Sequence, residues 1–467
     1  MKYGRSGPRL LAVCVLILAF VLAFSGCVSF SVRPAGTTGE TAADTAAGEP
    51  EEGSLLALLL ANPEIPAFNQ TVVKKIHEYY THYYIGELGT DGELAASIAD
   101  FYLEYRDRID ETDANEVTDL LCECYLAAAG DKYAYYMNPE ALAEHNSDMA
   151  GNYVGIGVQV TNDAVARTVT VTAVFPDTPA CEAGVLPGDT IEGVGDTSAS
   201  EISFAELVNR IRGEEGTDVT VTFARNGETY VRTMTRRTVV QVTASATVLS
   251  GTPKIGVITV TEFDQTTAPQ FKAALDELLD AGVDGLIFDL RNNPGGLLSS
   301  ILAVLDYLVP DGTPLANYEY YDGSVEGDLA NCRRYDGKTE DHALSPDLPI
   351  AVLCNQHTAS AGELFTCAMQ DYGKEGLLDV TVVGVVTFGK GTMQKPVSLG
   401  SGYATTISFA LYNPPYSGNY EGTGITPDIP VELPEEAQNK SIWALTLEED
   451  AQKAAAIASV SERAVSE

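Results

Sequence analysis

Apolar residues recur at every third or fourth position over residues 54–148. The stretches that carry this spacing are TVVKKIHEYYTHYY, GELAASIADFYLEYRDRI and NEVTDLLCECYLAAA. Such spacing places the apolar side chains on one face of an α-helix. The pattern therefore predicts an N-terminal helical region at 54–148.

Over residues 149–238 the pattern changes to an alternation of apolar and polar positions. It is clearest in YVGIGVQV, RTVTVTAVF and DVTVTFAR, with glycines and a Pro-Asp turn between them. Alternation with period two is typical of half-buried β-strands. We therefore expect a separate β-rich domain at 149–238.

Residues 239–433 alternate between strand and helix patterns. In chain order the segments are KIGVITV, APQFKAALDELLDAG, DGLIFDL, GLLSSILAVLDYLV, LPIAVLC, SAGELFTCAMQDYG and DVTVVG. This order predicts an α/β core with a largely parallel sheet. Residues 434–467 read as a polar, helical C-terminal tail.

The first 27 residues have the pattern of an export signal. A basic start is followed by an apolar run of about 15 residues, short for a membrane span of roughly 20, and then by FSGC. Small residues before Cys27 resemble a lipoprotein cleavage site, so we expect Cys27 to be lipidated. Phe24 stands where leucine is commoner, which leaves plain secretion or an uncleaved anchor as alternatives.

Residues 28–53 are rich in Thr, Ala, Gly and Glu and show no apolar periodicity. Such a composition predicts a flexible tether. Signal and tether together predict a protein outside the cytoplasm, held at a membrane by its lipid. The formal net charge of −38 repels phosphate backbones, so nucleic acid is not expected as a partner.

Six cysteines remain beyond the signal and Cys27. An even number of cysteines in an exported chain permits disulfides. However, the spacing of the cysteines is irregular, and the chain is long enough to fold without disulfide cross-links. Free, buried thiols are therefore expected, and the disulfide question stays open. The six are Cys122, Cys124, Cys181, Cys332, Cys354 and Cys367.

Two motifs come close to known sites without matching them. GVVTFGKGTMQ, residues 384–394, approaches a phosphate loop, but Gly391 replaces the hydroxyl that holds magnesium, and a strand-like segment follows instead of a helix. His77 and His82 are five positions apart, which places them about 140° apart around a helix. Neither a phosphate site nor a metal site is expected.

The stretch NQHTASAGE presents Ser360 at the start of a helix that follows a buried strand. Free backbone N–H groups at a helix N-terminus can bind an oxyanion. Ser360 alone is equally compatible with a helix cap. A base for it is available in His357, as in a Ser-His-Asp triad, or in a neutral lysine.

Lys390 fits the second option. It follows the strand that comes after the Ser360 helix, so its loop should return to the same sheet edge. Burial lowers the pKa of a lysine amine, and Val385, Val386 and Phe388 are expected to supply apolar surroundings. Gln394 could hold the amine through a hydrogen bond without adding a charge.

From about residue 65 to 432 the chain resembles the carboxyl-terminal processing peptidases, or tail-specific proteases, which use a Ser-Lys dyad. Three segments resemble the PDZ domain of that family: GNYVGIGVQV, DTPACEAGVLPGDTIEGVGDTSA and VNRIRGEEGTDVTVTFARNG. Five resemble its protease core: KIGVITVTEFDQTT, GVDGLIFDLRNNPGGLL, NQHTASAGELF, GVVTFGKGTMQ and GTGITPDIPVELP. The chain departs from the family pattern in ALYNPPYSGNYEGTG, on the approach to the closing segment and in the region of the substrate groove.

The resemblance implies roles by position. Ser360 would be the nucleophile, Lys390 the general base and Gln394 the residue that orients the lysine. The implied fold is a crotonase- and ClpP-like core with an inserted PDZ domain and helical arms.

For the oxyanion hole, the resemblance implies the Ala361 N–H and a glycine N–H in NNPGG, with Gly295 favoured over Gly296. No metal and no organic cofactor are implied.

In the PDZ domain, backbone N–H groups of the VGIGV turn can hold a peptide carboxylate. Gly155 and Gly157 permit that backbone, and Ile156 and Val158 are expected to line the side-chain pocket. Arg212 matches a family arginine that could link the position of the PDZ domain to the protease.

The function implied is an exported serine endopeptidase that binds the free, apolar C-terminal tails of protein or peptide substrates. The alternative is a non-catalytic PDZ adaptor on a protease-like fold. A homodimer formed through the helical regions is also left open.

Overall fold

The computed structural model describes residues 50–163, 168–320, 325–328, 344–438 and 440–465. The predicted signal, most of the tether, the Cys27 anchor and Cys332 lie outside these residues. Within the described part of the chain, no helix is both long enough and apolar enough to cross a membrane.

Five helices form the N-terminal region, with a short strand β1 (Tyr136–Met137) between the last two. They are α1 (Leu55–Ala61), α2 (Gln70–Tyr83), α3 (Asp91–Tyr105), α4 (Ala114–Ala129) and α5 (Pro139–Met149). The three helices predicted from the apolar spacing are confirmed as α2, α3 and α4. Polar side chains begin them, since Asn69, Thr90 and Asp113 each accept hydrogen bonds from N–H groups of the first turn.

The β-rich domain follows α5. Its elements are β2 (Asn152–Gly155), β3 (Val158–Asp163), β4 (Thr168–Val174), α6 (Pro179–Glu182), β5 (Thr190–Val194), β6 (Thr197–Ser198), α7 (Phe204–Ile211), β7 (Asp218–Arg225), β8 (Glu228–Thr235) and β9 (Arg237–Val240).

An antiparallel sheet in the order β3-β4-β5-β7-β8 forms this domain, with β6 paired to β5. The entering strand β2 and the leaving strand β9 pair with each other as a separate antiparallel ribbon. The domain is therefore an insertion between α5 and the core, attached through two adjacent strands.

The core follows with alternating strands and helices. Its elements are β10 (Ala244–Val248), β11 (Ile255–Val260), α8 (Thr267–Asp280), β12 (Gly285–Asp289), α9 (Leu298–Asp306), β13 (Asn317–Tyr320), β14 (Val325–Asp328), β15 (Pro349–Cys354), α10 (Ala361–Lys374), β16 (Asp379–Gly384), β17 (Thr392–Gly400), β18 (Tyr403–Asn413), β19 (Ile429–Pro430) and α11 (Ala451–Ala464).

The central sheet has the order β10-β11-β12-β15-β16-β19, and only β10 runs antiparallel to its neighbour. The predicted, largely parallel α/β sheet is thus confirmed. Helices α8, α9 and α10 pack on one face, where Phe271, Ile301 and Phe365 join Phe288 in the main hydrophobic cluster.

A second, antiparallel sheet was not predicted. It has the order β1-β18-β13-β14, with β17 paired to β18. Val397, Leu399 and Ile407 of the β17–β18 hairpin lie in the same hydrophobic cluster as the N-terminal helices. The N-terminal region is therefore packed against the strand that leads out of the Lys390 loop.

The prediction of a polar tail after residue 433 is wrong for α11. Ala456 and Val460 are fully buried and pack with Val257 and Ile287 on the second face of the central sheet. Arg463 also donates hydrogen bonds to Asp379 and to the Ile350 carbonyl. The last helix is thus a layer of the core. Gln452, near its start, is also buried and donates to the Val431 carbonyl oxygen.

Five of the six cysteines lie in the described residues, and all five are free thiols. Cys122, Cys124, Cys354 and Cys367 are buried, whereas Cys181 is exposed. The expectation of free thiols is confirmed for these five, and that of burial for four of them.

Candidate active site

Ser360 lies at the junction between β15, which ends at Cys354, and α10, which begins at Ala361. Its backbone has φ 52° and ψ −119°, a region that residues with a Cβ adopt only at a cost. The Ala359 N–H donates to the Asn293 carbonyl oxygen at 2.9 Å. The loop after β12 therefore holds the serine loop in place.

Lys390 reaches the same place from the loop after β16. Its side chain is only 7% exposed, and its Nζ donates to Gln394 Oε1 at 2.9 Å. Ser360, Lys390 and Gln394 line one small pocket, together with Ala361 and Gly296. The three residues predicted to work together are therefore brought together by the fold.

The observed surroundings of Lys390 differ from the apolar surroundings predicted from the sequence. Val386 is 45% exposed and Phe388 is 53% exposed, so they turn outward from this loop. The Lys390 Nζ instead lies 5.0 Å from the ring centre of Tyr133, and Tyr412 lines the same pocket.

Two glutamates hold the backbone of the lysine loop. Glu363 accepts hydrogen bonds from the N–H groups of Gly389 at 2.6 Å and Lys390 at 2.7 Å. Glu421 accepts one from the Gly391 N–H at 2.8 Å. These consecutive N–H groups are the ones a phosphate loop would offer to its ligand, and here protein carboxylates occupy them.

Glu363 also joins the lysine loop to the nucleophile. Besides the two loop N–H groups, it accepts from the Ser360 N–H at 3.0 Å and from the Thr387 hydroxyl at 2.5 Å. The side chain is fully buried. Burial raises the pKa of Glu363 above its ordinary value, although these four hydrogen bonds favour the carboxylate and oppose the rise.

Tyr133 extends this network into the N-terminal region. Its hydroxyl donates to Glu421 Oε1 at 2.7 Å, and Lys132 pairs with the same oxygen at 2.7 Å. Burial alone would raise the pKa of Glu421, but hydrogen bonds from Lys132, Tyr133 and Thr392 outweigh it and lower the pKa. Glu421 is therefore an anion that ties the segment after α4 to the lysine loop.

The preference for Gly295 as an oxyanion donor does not agree with the geometry. The Gly295 N–H donates to Asn293 Oδ1 at 2.8 Å, so this hydrogen is already engaged inside the loop. Gly296 lines the pocket beside Ser360 and Ala361. The geometry thus favours Gly296 over Gly295 in NNPGG.

His357 lies on the serine loop but does not line the pocket with Ser360. Its Nε2 is 3.3 Å from the side-chain nitrogen of Gln356, and burial lowers its pKa. A triad built on this histidine receives no support from these contacts.

The two N-terminal histidines also have ordinary partners. His77 contacts the Tyr125 hydroxyl and Asp91, and His82 bonds to the Glu78 carbonyl. Among the residues that the structure describes, no cluster of histidine, cysteine and carboxylate side chains is arranged to hold a metal.

The predicted carboxylate turn lies between β2 and β3. Gly157 has φ 82°, and a Cβ there would lie 2.3 Å from that of Thr178, so only glycine fits. Val158 begins β3 and is half-buried. Ile156 is only 1% exposed and packs in the hydrophobic cluster of this domain, so its role in the side-chain pocket stays a prediction. Gly155 pairs with Arg237 of β9.

Arg212 leaves the end of α7 and pairs with α5. Its guanidinium lies 3.4 Å from Glu144 and 3.6 Å from Asp148, and it stands over the Tyr153 ring at 5.2 Å. The arginine therefore connects the inserted domain to the helix that precedes it.

Four residues of this site were not found from the sequence. Glu363 had a readable signal, since it stands three positions after Ser360 as in a capping box. Tyr133, Tyr412 and Glu421 had none, because each lies outside the motifs of Ser360 and Lys390: Tyr133 and Glu421 in turns, Tyr412 in β18.

Comparison with known proteins places the chain in a family. The model described as peptidase family S41 matches residues 254–431, and the PDZ domain model matches residues 170–225. A carboxy-terminal-processing protease of Bartonella bacilliformis is 32% identical over 309 residues, which are 65% of this chain and 67% of that protein.

A probable CtpA-like serine protease of Staphylococcus saprophyticus is 28% identical over 324 residues, 69% of this chain and 62% of that protein. The chain thus spans about three fifths of the length of this staphylococcal relative. Among solved structures, the photosystem II D1 C-terminal processing protease aligns with 81% of this chain and 95% of its own, at 23% identity and a TM-score of 0.46.

These matches define a serine peptidase with a PDZ domain on a mixed α/β fold. The chain belongs to peptidase family S41, with carboxy-terminal-processing proteases among its relatives.

Proposed function

We propose that this protein is an exported endopeptidase that binds the C-terminal tails of protein substrates and cleaves them with a Ser-Lys-Gln apparatus. The observation that carries the proposal is the shared pocket of Ser360, Lys390 and Gln394 at the N-terminus of α10. A buried lysine beside a strained serine has no evident use in folding.

In the proposed reaction, neutral Lys390 accepts the proton of Ser360 as its Oγ attacks the peptide carbonyl carbon. The C–N bond then breaks, and Lys390 returns the proton to the leaving amine. Lys390 then takes a proton from water as the water oxygen attacks the acyl carbon. The C–Oγ bond breaks, and the amine returns this proton to Ser360 Oγ. Gln394 holds Nζ through its side-chain oxygen without adding a charge.

The tetrahedral intermediate carries a negative oxygen that needs donors. We assign these to the N–H groups of Ala361 and Gly296, since Gly295 is engaged with Asn293. Each such donor contributes about 3–4 kcal/mol to transition-state stability in other proteases. All the chemistry in this scheme is carried by side chains and backbone of the protein.

The tail-binding part of the proposal rests on the turn at Gly157 and on the edge of β3. Among the strands that the structure describes, β3 pairs with β4 alone. A substrate strand can add to such an edge while backbone N–H groups hold its carboxylate. In the same proposal the core is crotonase- and ClpP-like, and residues 28–53 tether it to a lipidated Cys27. A homodimer through the helical regions is compatible with it.

The competing function is a PDZ adaptor without activity. The complete pocket favours the enzyme, because Ser360, Lys390, Gln394 and two oxyanion segments would serve no purpose in an adaptor.

The test is digestion of an unfolded protein that ends in a free, apolar C-terminus. We expect the wild type to cleave it, and Ser360→Ala and Lys390→Ala to be inactive although folded. His357→Ala serves as the control and should remain active. Cleavage that survives Lys390→Ala but is lost in His357→Ala would establish a triad instead, and a folded but inactive wild type would favour the adaptor.

A further inference from the structure

A buried tyrosine contacts the proposed nucleophile. The Tyr412 hydroxyl lies 3.0 Å from Ser360 Oγ and 3.0 Å from the carbonyl oxygen of Lys390. Tyr412 is the penultimate residue of β18, and its side chain is only 4% exposed. One phenol thus touches both members of the proposed dyad.

Counting hydrogens shows that these two contacts cannot be equivalent. A phenol has one proton to donate and can accept one or two more. When Tyr412 donates to the Lys390 carbonyl, it is the acceptor for the Ser360 O–H, and the serine proton points away from the lysine amine. When Tyr412 donates to Ser360 Oγ, the serine proton is available to Lys390.

The two arrangements differ only in the direction of hydroxyl hydrogens, since both acceptors lie 3.0 Å from the phenol oxygen. No heavy atom has to move between them. In the second arrangement the phenol hydrogen points at the oxygen on which negative charge develops as the serine loses its proton. Donors placed in this way act without reorganisation at the moment of reaction.

Tyr412 is suited to be a donor and not a base. Burial raises its pKa above the ordinary value, and hydrogen bonds with Ser360 and Tyr420 oppose that rise only in part. The carboxylates of Glu363 and Glu421 raise it further. The phenol therefore keeps its proton through the reaction.

We propose that Tyr412 is a further catalytic residue, whose hydroxyl donates a hydrogen bond to Ser360 Oγ while Lys390 takes the serine proton. This role rests on the proposed function of the Ser360–Lys390 pair. In the step, the Ser360 O–H bond breaks and its proton forms a bond to Nζ. Oγ forms the bond to the carbonyl carbon as the carbonyl π bond breaks and its electron pair moves to the carbonyl oxygen. Tyr412 only exchanges one acceptor for another.

The hydroxyl can be separated from the ring that carries it. The Tyr412 ring packs edge-on against Tyr420 with 6.0 Å between ring centres, and phenylalanine would keep this contact. Tyr372 of α10 offers a matched control, because it is also buried and its hydroxyl donates to the backbone oxygen of Pro314 at 2.8 Å, away from Oγ.

The experiment is single-turnover cleavage of a quenched fluorescent peptide with a free, apolar C-terminus, measured from pH 6 to 9. For Tyr412→Phe we expect the plateau rate to fall about 10- to 100-fold. KM and the pH midpoint should change little. For Tyr372→Phe the loss of rate should be much smaller.

Three results would overturn this role. Full activity of Tyr412→Phe would remove the hydroxyl from the reaction. A shifted pH midpoint would mean that Tyr412 acts only by placing Lys390. Equal losses in Tyr412→Phe and Tyr372→Phe would mean that the two hydroxyls only support the fold. A wild type that does not cleave the peptide would instead refute the proposed function itself.

Discussion

The amine of Lys390 lies 5.0 Å from the ring centre of Tyr133, a residue of the segment that follows α4. A lysine cation is attracted to the face of an aromatic ring by about 0.5–2 kcal/mol. The ring therefore favours the charged form of the amine, whereas the proposed reaction needs the neutral form. Tyr133 lies outside the matched protease segment, residues 254–431, so the site extends beyond that segment.

This relationship predicts a change in pH dependence. Activity should rise with pH as Lys390 loses its proton, and a profile flat from pH 5 to 9 would contradict a lysine base. In Tyr133→Leu the cation loses its ring, so the midpoint of the rise in kcat/KM should move to lower pH by about half a unit. Tyr133→Phe keeps the ring and should move it less. Equal shifts in the two variants would assign the effect to the lost Glu421 hydrogen bond.

Glu363→Gln should disable the site without abolishing the fold. The amide NH₂ would face N–H donors in place of one carboxylate oxygen, leaving a buried donor unpaired at a cost of about 1–3 kcal/mol. Because two of the donors are Ser360 N–H and Lys390 N–H, we expect at least a tenfold loss in kcat and a lower thermal midpoint. Glu375→Gln, at an exposed position at the end of the same helix, is the control. Unchanged kcat in Glu363→Gln would show that the hydrogen bonds do not position the dyad.

The raised pKa of Glu262 should make the free energy of unfolding depend on pH. Burial raises its pKa to about 7, with Asp264 and Asp148 adding to the rise and Arg212 opposing it. Between the ordinary value of 4.5 and about 7, the folded protein holds a proton that the unfolded chain has released. Stability should therefore fall as pH rises through this window, by up to about 3 kcal/mol in total.

The measurement is urea unfolding at pH 5 and pH 8. Glu262→Gln stays neutral, so it should be more stable than the wild type at pH 8 and similar to it at pH 5. Glu277→Gln, on an exposed face of α8, should change neither. A wild type with the same midpoint at both pH values, or a variant without gain at pH 8, would disprove the assignment.

The tail sensor is tested with a pair of peptides. If the turn at Gly157 holds the terminal carboxylate, an amidated peptide loses the charged partner of its N–H groups, and hydrogen bonds to charged groups contribute about 1.5–3 kcal/mol. KM should rise at least tenfold for the amide. Gly157→Ala, whose Cβ would collide with Thr178, should abolish the difference between the two peptides. Identical kinetics of both peptides on the wild type would remove the turn from recognition.

The core could be predicted from the sequence because its signals are local. Strand and helix patterns alternate with regular lengths, and Ser360, Lys390 and Gln394 lie within two adjacent strand–loop junctions. Glu363 could have been found in the same way, because it stands three positions after Ser360 as in a capping box. The sequence did not predict contacts between residues far apart in the chain. Examples are the Tyr133 ring beside the Lys390 amine and the Tyr412 hydroxyl beside Ser360 Oγ.

Two differences between the predictions and the structure have physical reasons. The side chains that α11 buries against the sheet, such as Ala456 and Val460, are small and few. The sequence of this helix therefore shows only a weak apolar pattern and was interpreted as polar. Gly295 and Gly296 are adjacent glycines with identical sequence signals. Only the hydrogen bond to Asn293 Oδ1 distinguishes them.

The backbone of Ser360 has a last consequence. At φ 52° and ψ −119°, a residue with a Cβ is strained by about 1–3 kcal/mol relative to glycine. Replacing the nucleophile would therefore stabilise the fold: Ser360→Gly should have a higher melting temperature than the wild type and no peptidase activity.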